Sequence, residues 1–207
     1  MKWIGSLVNS KIFYYTYKLY KNDSAIIHYS KYNHSKLIII LYGSVYVTKT
    51  FESGEIVPIV ILDKNTIFTA KRDSGKFYYK LTALETTYIL STKVYRVTNN
   101  RELMNNLIKG YKETVEAYET MNDAINQKYV ERRVFYALLM LFWKFGVISN
   151  KKVKLPFWIP QRNLGNIANT RKEIVSRVIK KLDNKLKIKY YSKKLLYINN
   201  VFNITVK

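Results

Sequence analysis

The chain has 207 residues, 48% of them hydrophobic, so it can bury a real core although 36 Lys and Arg against 14 Asp and Glu give it a formal charge of +22. It has no cysteine, which excludes disulfides, thiolate nucleophiles, iron–sulfur clusters and Cys-ligated zinc, and its two histidines, His28 and His34, are too few for a metal site. An excess of positive charge this large selects a polyanion, either nucleic acid or an anionic membrane surface.

No stretch reaches the roughly 18 apolar residues of a membrane span. Met1–Val8 has no long apolar run, so no secretory signal is expected. Ile12–Tyr20 alternates loosely and stops at the turn cluster Lys21-Asn22-Asp23-Ser24. Leu37–Val47 (LIIILYGSVYV) is the strongest strand, with Gly43 marking a tight corner or a bulge. Phe51-Glu52-Ser53-Gly54-Glu55 reads as a hairpin turn into Ile56–Leu62, and further strands are expected over Phe77–Leu84 and Thr87–Val97. Short strands at such spacing make a sandwich or a barrel-like roll.

From Asn99 the period turns helical. Leu107, Thr114 and Met121 are seven apart, as are Tyr111, Tyr118 and Ile125, and the two series together make one heptad seam. Such a seam serves a dimer, although packing on the chain's own strands would leave the same stripe. A second helix, Glu131–Phe145, is densely apolar and stops at Gly146. Pro156 and Pro160 then introduce the last unit.

Charge is unevenly spread. Residues 1–98 hold 14 basic and 6 acidic side chains, residues 99–150 hold 7 and 6, and residues 151–207 hold 15 and 2. The last quarter is therefore the electrostatic footprint. Its stretch 160–182 reads PQRNLGNIANTRKEIVSRVIKKL. Pro160 suits a helix start. Leu164, Ile167 and Ala168 give that helix an apolar face, Gly165 allows a close crossing, and Asn169 tolerates a left-handed turn. Thr170 and Glu173 have the spacing of a capping box, and Val175, Val178, Ile179 and Leu182 form the buried stripe of a second helix. Arg171, Lys172, Glu173, Ser176 and Arg177 stay on its open face. This is the layout of a helix-turn-helix. Lys172 or Arg177 can donate to guanine and Glu173 can accept from cytosine, unless Glu173 is occupied by the cap. Lys180, Lys181, Lys193 and Lys194 suit phosphate contacts. Lys187–Tyr191 and Leu195–Ile198, on either side of Ser192-Lys193-Lys194, read as a two-stranded wing.

A β-roll, a long helix and a helix-turn-helix in this order resemble the Crp/Fnr regulators over nearly the whole chain. LGNIANTRKEIVSR (Leu164–Arg177) is similar, without gaps, to the family's recognition segment, and by that match Lys172, Glu173 and Arg177 stand at its base-reading positions. Lys172 replaces the more usual arginine and loses its bidentate fork. LYGSVYVTKTFESGEIVPIVILDKNTIF (Leu41–Phe68) and LFWKFGV (Leu141–Val147) look like the family's nitrogen-control branch, of which red algae carry a plastid copy. The resemblance implies an α+β architecture: a jelly roll of the cyclic-nucleotide-binding kind over 1–98, a dimerisation helix and connector over 99–150, and a winged helix-turn-helix over 151–207. It also implies a homodimer on double-stranded DNA that addresses RNA polymerase. The compartment implied is a plastid stroma, or else a bacterial cytoplasm.

That branch responds to 2-oxoglutarate. Phe68, Thr69, Ala70 and Lys71 occupy the place of its effector loop, Lys76 stands where an arginine would clamp a carboxylate, and Glu119 matches a helix residue of the site. Thr114 falls where a second arginine would reach across the dimer, so one bidentate carboxylate contact is missing. The effector is 2-oxoglutarate, another ligand, or none. Cyclic AMP is not expected, because Thr69–Phe77 (TAKRDSGKF) lacks the Gly-Glu and Arg-Ser/Thr pairs of the phosphate cassette. The competing reading is an architectural binder of nucleic acid that uses charge without base readout. An enzyme is not expected, since no triad or metal set can be assembled.

Overall fold

The computed structural model describes residues 2–27, 36–70, 76–98, 100–149, 152–186, 188–191 and 195–199. His28, His34, Lys71, Lys193 and Lys194 lie outside them. The chain forms two compact units, Met1–Glu119 and Thr120–Lys207, and the boundary falls inside one long helix.

The first unit opens with a short helix, α1 (Lys2–Asn9), followed by β1 (Tyr15–Leu19), β2 (Ser24–Ile27), β3 (Lys36–Tyr42), β4 (Val45–Phe51), β5 (Ile56–Leu62), β6 (Ile67–Thr69), β7 (Phe77–Ala83) and β8 (Thr87–Lys93). A one-turn helix, α2 (Val94–Thr98), leads to α3 (Arg101–Ile125). The strands form two antiparallel four-stranded sheets, ordered β1-β8-β3-β6 and β2-β7-β4-β5. The apolar run LIIILYGSVYV is therefore not one strand. It is split at Gly43, whose φ of +80° carries the chain from the first sheet to the second. A Cβ there would lie 2.6 Å from the Thr86 carbonyl oxygen, so only glycine makes this corner. The hairpin at 51–55 is closed by the Phe51 N–H donating to the Glu55 carbonyl at 2.9 Å, with Gly54 at φ +81°.

The unbroken hydrophobicity of β3 follows from burial on both faces. Ile38 and Ile40 meet Val45, Val47, Val60, Leu62 and Leu81 between the sheets. Leu37, Ile39 and Leu41 point the other way, onto Trp3 and Leu7 of α1 and Leu103 and Leu107 of α3. Met1–Val8, expected only to lack a signal, is thus mostly a helix that covers a sheet. Pro58 sits in β5, the outer strand of its sheet, beside a register shift opposite Val47 and Thr48, where a missing N–H costs least.

The second unit contains α4 (Val130–Phe145), a hairpin of β9 (Val147–Ser149) and β10 (Lys152–Lys154), α5 (Gln161–Ile167), α6 (Lys172–Leu186), β11 (Ile188–Tyr191) and β12 (Leu195–Asn199). The expected two-stranded wing is part of a four-stranded sheet, β11-β12-β10-β9, because β10 pairs with β12 through Val153 and Ile198. Gly146 ends α4, but not through a left-handed turn: its φ is −66°, and it is a glycine because a Cβ would collide with the Phe142 carbonyl and Val153. Among the described residues no helix is long and apolar enough to cross a membrane.

Candidate nucleic-acid interface

α5 and α6 pack on α4. Leu164, Ile167 and Ala168 turn inward from α5 and its end, and Val175, Val178 and Ile179 do so from α6, all of them buried. Phe145 and Phe157 meet edge-on at 5.3 Å and extend this core. The turn between the helices is tight. Asn169 has φ +47°, the Thr170 N–H donates to the Gly165 carbonyl at 2.8 Å, and a Cβ on Gly165 would lie 2.7 Å from the Thr170 oxygen.

The capping box does not form. The Arg171 carbonyl accepts the first helical hydrogen bonds, from Ile174 and Val175, so Arg171, one residue past the expected Thr170, is the capping position and the helix starts at Lys172. Glu173 has no capping partner among the described residues and is exposed. Of its two expected roles, capping is the one this geometry does not provide. Glu173, Ser176, Arg177 and Lys180 recur at spacings of three and four and share one side of α6, with Ser176 half-buried and the other three exposed. Arg171 and Lys172 are exposed at the helix start. Lys181, expected on phosphate, is turned toward α4 and pairs with Glu131 at 2.6 Å. Both groups are half exposed, so the pair is weak, but it engages the Lys181 ammonium on the α4 side.

The long helix corrects the expected seam. Leu107 and Thr114 do not face outward. Leu107 packs in the roll's own core. Thr114 is 4% exposed, and its Oγ1 accepts from the Ile67 N–H at 2.9 Å while lying 2.9 Å from the Ile67 and Gly110 carbonyls. β6 is the outer strand of its sheet, so Ile67 has polar groups that no strand can satisfy, and Thr114 serves them. Gly110 brings α3 close: a Cβ there would stand 2.7 Å from Ile67 Cγ1. Met121 is also buried. The outward apolar side is one residue further round: Ile108, Val115 and Tyr118 are exposed, and Tyr111 and Ile125 are partly so. Positions 108, 111, 115, 118, 122 and 125 alternate steps of three and four, with Asn122 the polar member. Ile108 and Val115 were the signal that sequence reading passed over. Tyr118 leans back on the roll, where burial pushes its phenol up to about 12 and Tyr79 adds to the rise.

Of the predicted effector residues, those described are not gathered into one place. Phe68 and Ala70 are buried in the roll's core, and Phe68 meets Tyr79 edge-on at 5.1 Å. Thr69 is half-buried, its Oγ1 3.5 Å from the Tyr111 hydroxyl. Lys76 is exposed at the hairpin end of β7, where its carbonyl accepts from the Glu52 N–H, and Glu119 is exposed on α3. No contact joins Lys76 to Glu119 among the described residues. A cavity of about 430 Å³ elsewhere in this unit is lined by Trp3, Tyr42, Lys64, Lys109 and Glu113, and by none of the predicted effector residues.

The architecture is thus an antiparallel double-sheet roll followed, after a long helix, by a winged helix-turn-helix whose exposed side is polar and cationic. No family profile matches the chain. It is similar to the putative HTH-type transcriptional regulator ycf28 of Porphyra purpurea, 26% identical over 171 residues that cover 78% of this chain and 70% of that protein. It is also similar to the global nitrogen regulator of Nostoc sp. strain PCC 7120, 21% identical over 77% of this chain and 75% of that one. In fold it matches a transcriptional regulator of the CRP/FNR family from Thermus thermophilus, with a TM-score of 0.65 and 16% identity over 90% of this chain and 94% of that one. The chain is a transcription regulator, and in fold it is similar to regulators of the Crp/Fnr type.

Proposed function

We propose that two copies of the chain join along the outward side of α3 and read a two-fold symmetric DNA site, each through α6, under the control of a small molecule sensed by the roll. The observation that carries this reading is the side of α6 formed by Glu173, Ser176, Arg177 and Lys180, held outward by a buried stripe on the opposite side. An arginine there can fork onto guanine, Glu173 can accept from cytosine, and Lys180 can hold a phosphate. The outward seam through Ile108, Val115 and Tyr118 supplies the apolar surface a dimer needs. The roll is the sensor, α3 the dimerisation element and the C-terminal unit the reader.

Two relatives named as global nitrogen regulators support nitrogen-related control; action through RNA polymerase, in a plastid stroma, is part of the same proposal. 2-Oxoglutarate is the effector to test first. It would act by binding more tightly to one of two arrangements of the dimer, since only differential affinity shifts an equilibrium.

Selection from a random pool of duplex DNA at near-physiological salt, with and without 2-oxoglutarate, tests the reading. Enrichment of a symmetric motif, its half-sites about one helical turn apart, is expected. A pool that is retained but stays random in both conditions would leave only a non-specific architectural protein. Enrichment that ignores 2-oxoglutarate would remove that effector and keep the DNA reading.

A further inference from the structure

The edge of the first sheet carries an aromatic and cationic surface that neither the reader nor the dimer seam uses. β1 is the outer strand of its sheet, and Tyr15 and Tyr17 project on the same side of it. Phe13 precedes them, tied to β8 by the Thr92 hydroxyl donating to its carbonyl at 2.9 Å. All three rings are exposed, at 59%, 56% and 51% for Phe13, Tyr15 and Tyr17. Phe13 meets Tyr15 edge-on at 4.8 Å, and Tyr15 and Tyr17 lie 6.4 Å apart, tilted by 32°. The rings line a groove of about 290 Å³ whose remaining charged members are Lys36, Lys93 and Arg96, with no acid among the described lining residues.

Two features show that folding alone does not account for this surface. Lys36 and Lys93 stand directly opposite each other across β3 and β8, and like charges so placed destabilise a sheet. Contiguous exposed rings on an outer strand also invite aggregation. An anionic ligand with flat apolar faces relieves both. Unpaired nucleotides have that chemistry: phosphates for the three cations, and a π-face on every base for the rings. A duplex keeps its base faces stacked out of reach. An acidic polypeptide would answer the cations and leave the rings uncovered.

We infer that Phe13, Tyr15 and Tyr17, with Lys36, Lys93 and Arg96, form a binding platform for single-stranded nucleic acid on the roll, separate from the duplex reader. Stacking supplies affinity without sequence preference, and the cations track the backbone.

The test uses the full chain and a fluorescein-labelled oligothymidylate, with excess unlabelled duplex present to occupy α6. Tyr15→Ala and Tyr17→Ala should each weaken oligothymidylate binding about tenfold, whereas Tyr15→Phe keeps it. The logarithmic salt slope should be about −2 for three neutralised phosphates, and Lys93→Gln should reduce it by about 0.7. Arg177→Ala should weaken duplex binding and leave the oligothymidylate unaffected. An iodouracil-substituted oligonucleotide should crosslink to the peptide that holds Tyr15 and Tyr17. Crosslinks confined to α6, or tyrosine variants that bind as tightly as the parent, would overturn the inference. So would capture of a polyglutamate peptide at this groove with no oligothymidylate bound, which would mark an acidic protein partner instead.

Discussion

Replacing Thr114 by valine separates the two possible faces of α3. Valine keeps the shape and removes the oxygen that accepts from the Ile67 N–H at 2.9 Å. Ile67 is fully buried, so its N–H loses its partner without gaining water. Leaving a buried donor unsatisfied costs about 1–3 kcal/mol. With a urea slope of about 1–3 kcal/mol per molar, the unfolding midpoint should fall by about 1 M. The assay is far-ultraviolet circular dichroism in urea at one fixed protein concentration, since a dimer's stability depends on concentration. Hydrogen exchange adds a local readout: the Ile67 amide should lose protection. If Thr114 instead faced a second copy, valine would enlarge an apolar seam. The midpoint would then hold or rise and the dimer would tighten, and that result would refute the placement of this helix.

The complementary change, Val115→Glu, puts a charge on the exposed side of α3; ultracentrifugation should find monomer where the parent is dimeric, with the circular dichroism spectrum unchanged. Gly165→Ala drives a methyl to 2.7 Å from the Thr170 oxygen and should lower the melting stability by about 1–3 kcal/mol while abolishing DNA binding. Lys180→Gln should weaken every duplex alike and reduce the salt slope by about 1, which a salt titration checks. Tyr118 stays protonated up to about 12 against an ordinary 10, so the stability that depends on its neutral form is whole below pH 10 and is lost as pH rises toward 12. Tyr118→Phe should flatten that part of the pH-stability curve.

Much of this architecture is legible in the sequence where one residue type answers one backbone need. Gly43 announces a corner because no other residue fits beneath Thr86 and Thr87, and Asn169 announces the helix-turn-helix bend. The rung of α3 that faces out is not legible in this way. Positions 107, 111, 114 and 118 and positions 108, 111, 115 and 118 satisfy the same three-four spacing, and half their members coincide. What decides is the unpaired edge of β6, a property of the sheet and not of the helix. The hairpin of β9 and β10 was missed for a related reason: three-residue strands carry almost no periodicity, and they exist because β12, more than forty residues later, pairs with β10. The effector residues were placed by resemblance, and the structure has Phe68 and Ala70 serving the core at those positions.

The central claim is that α6 reads bases in two symmetry-related grooves. Its most direct test is the affinity of the Arg177→Ala protein for every single-base variant of the selected site. The account predicts a loss of about 1–3 kcal/mol and relaxed discrimination at two base pairs, one in each half-site, with the other positions read as before. A loss spread evenly over all positions would mean that Arg177 holds the backbone and that the bases are read elsewhere.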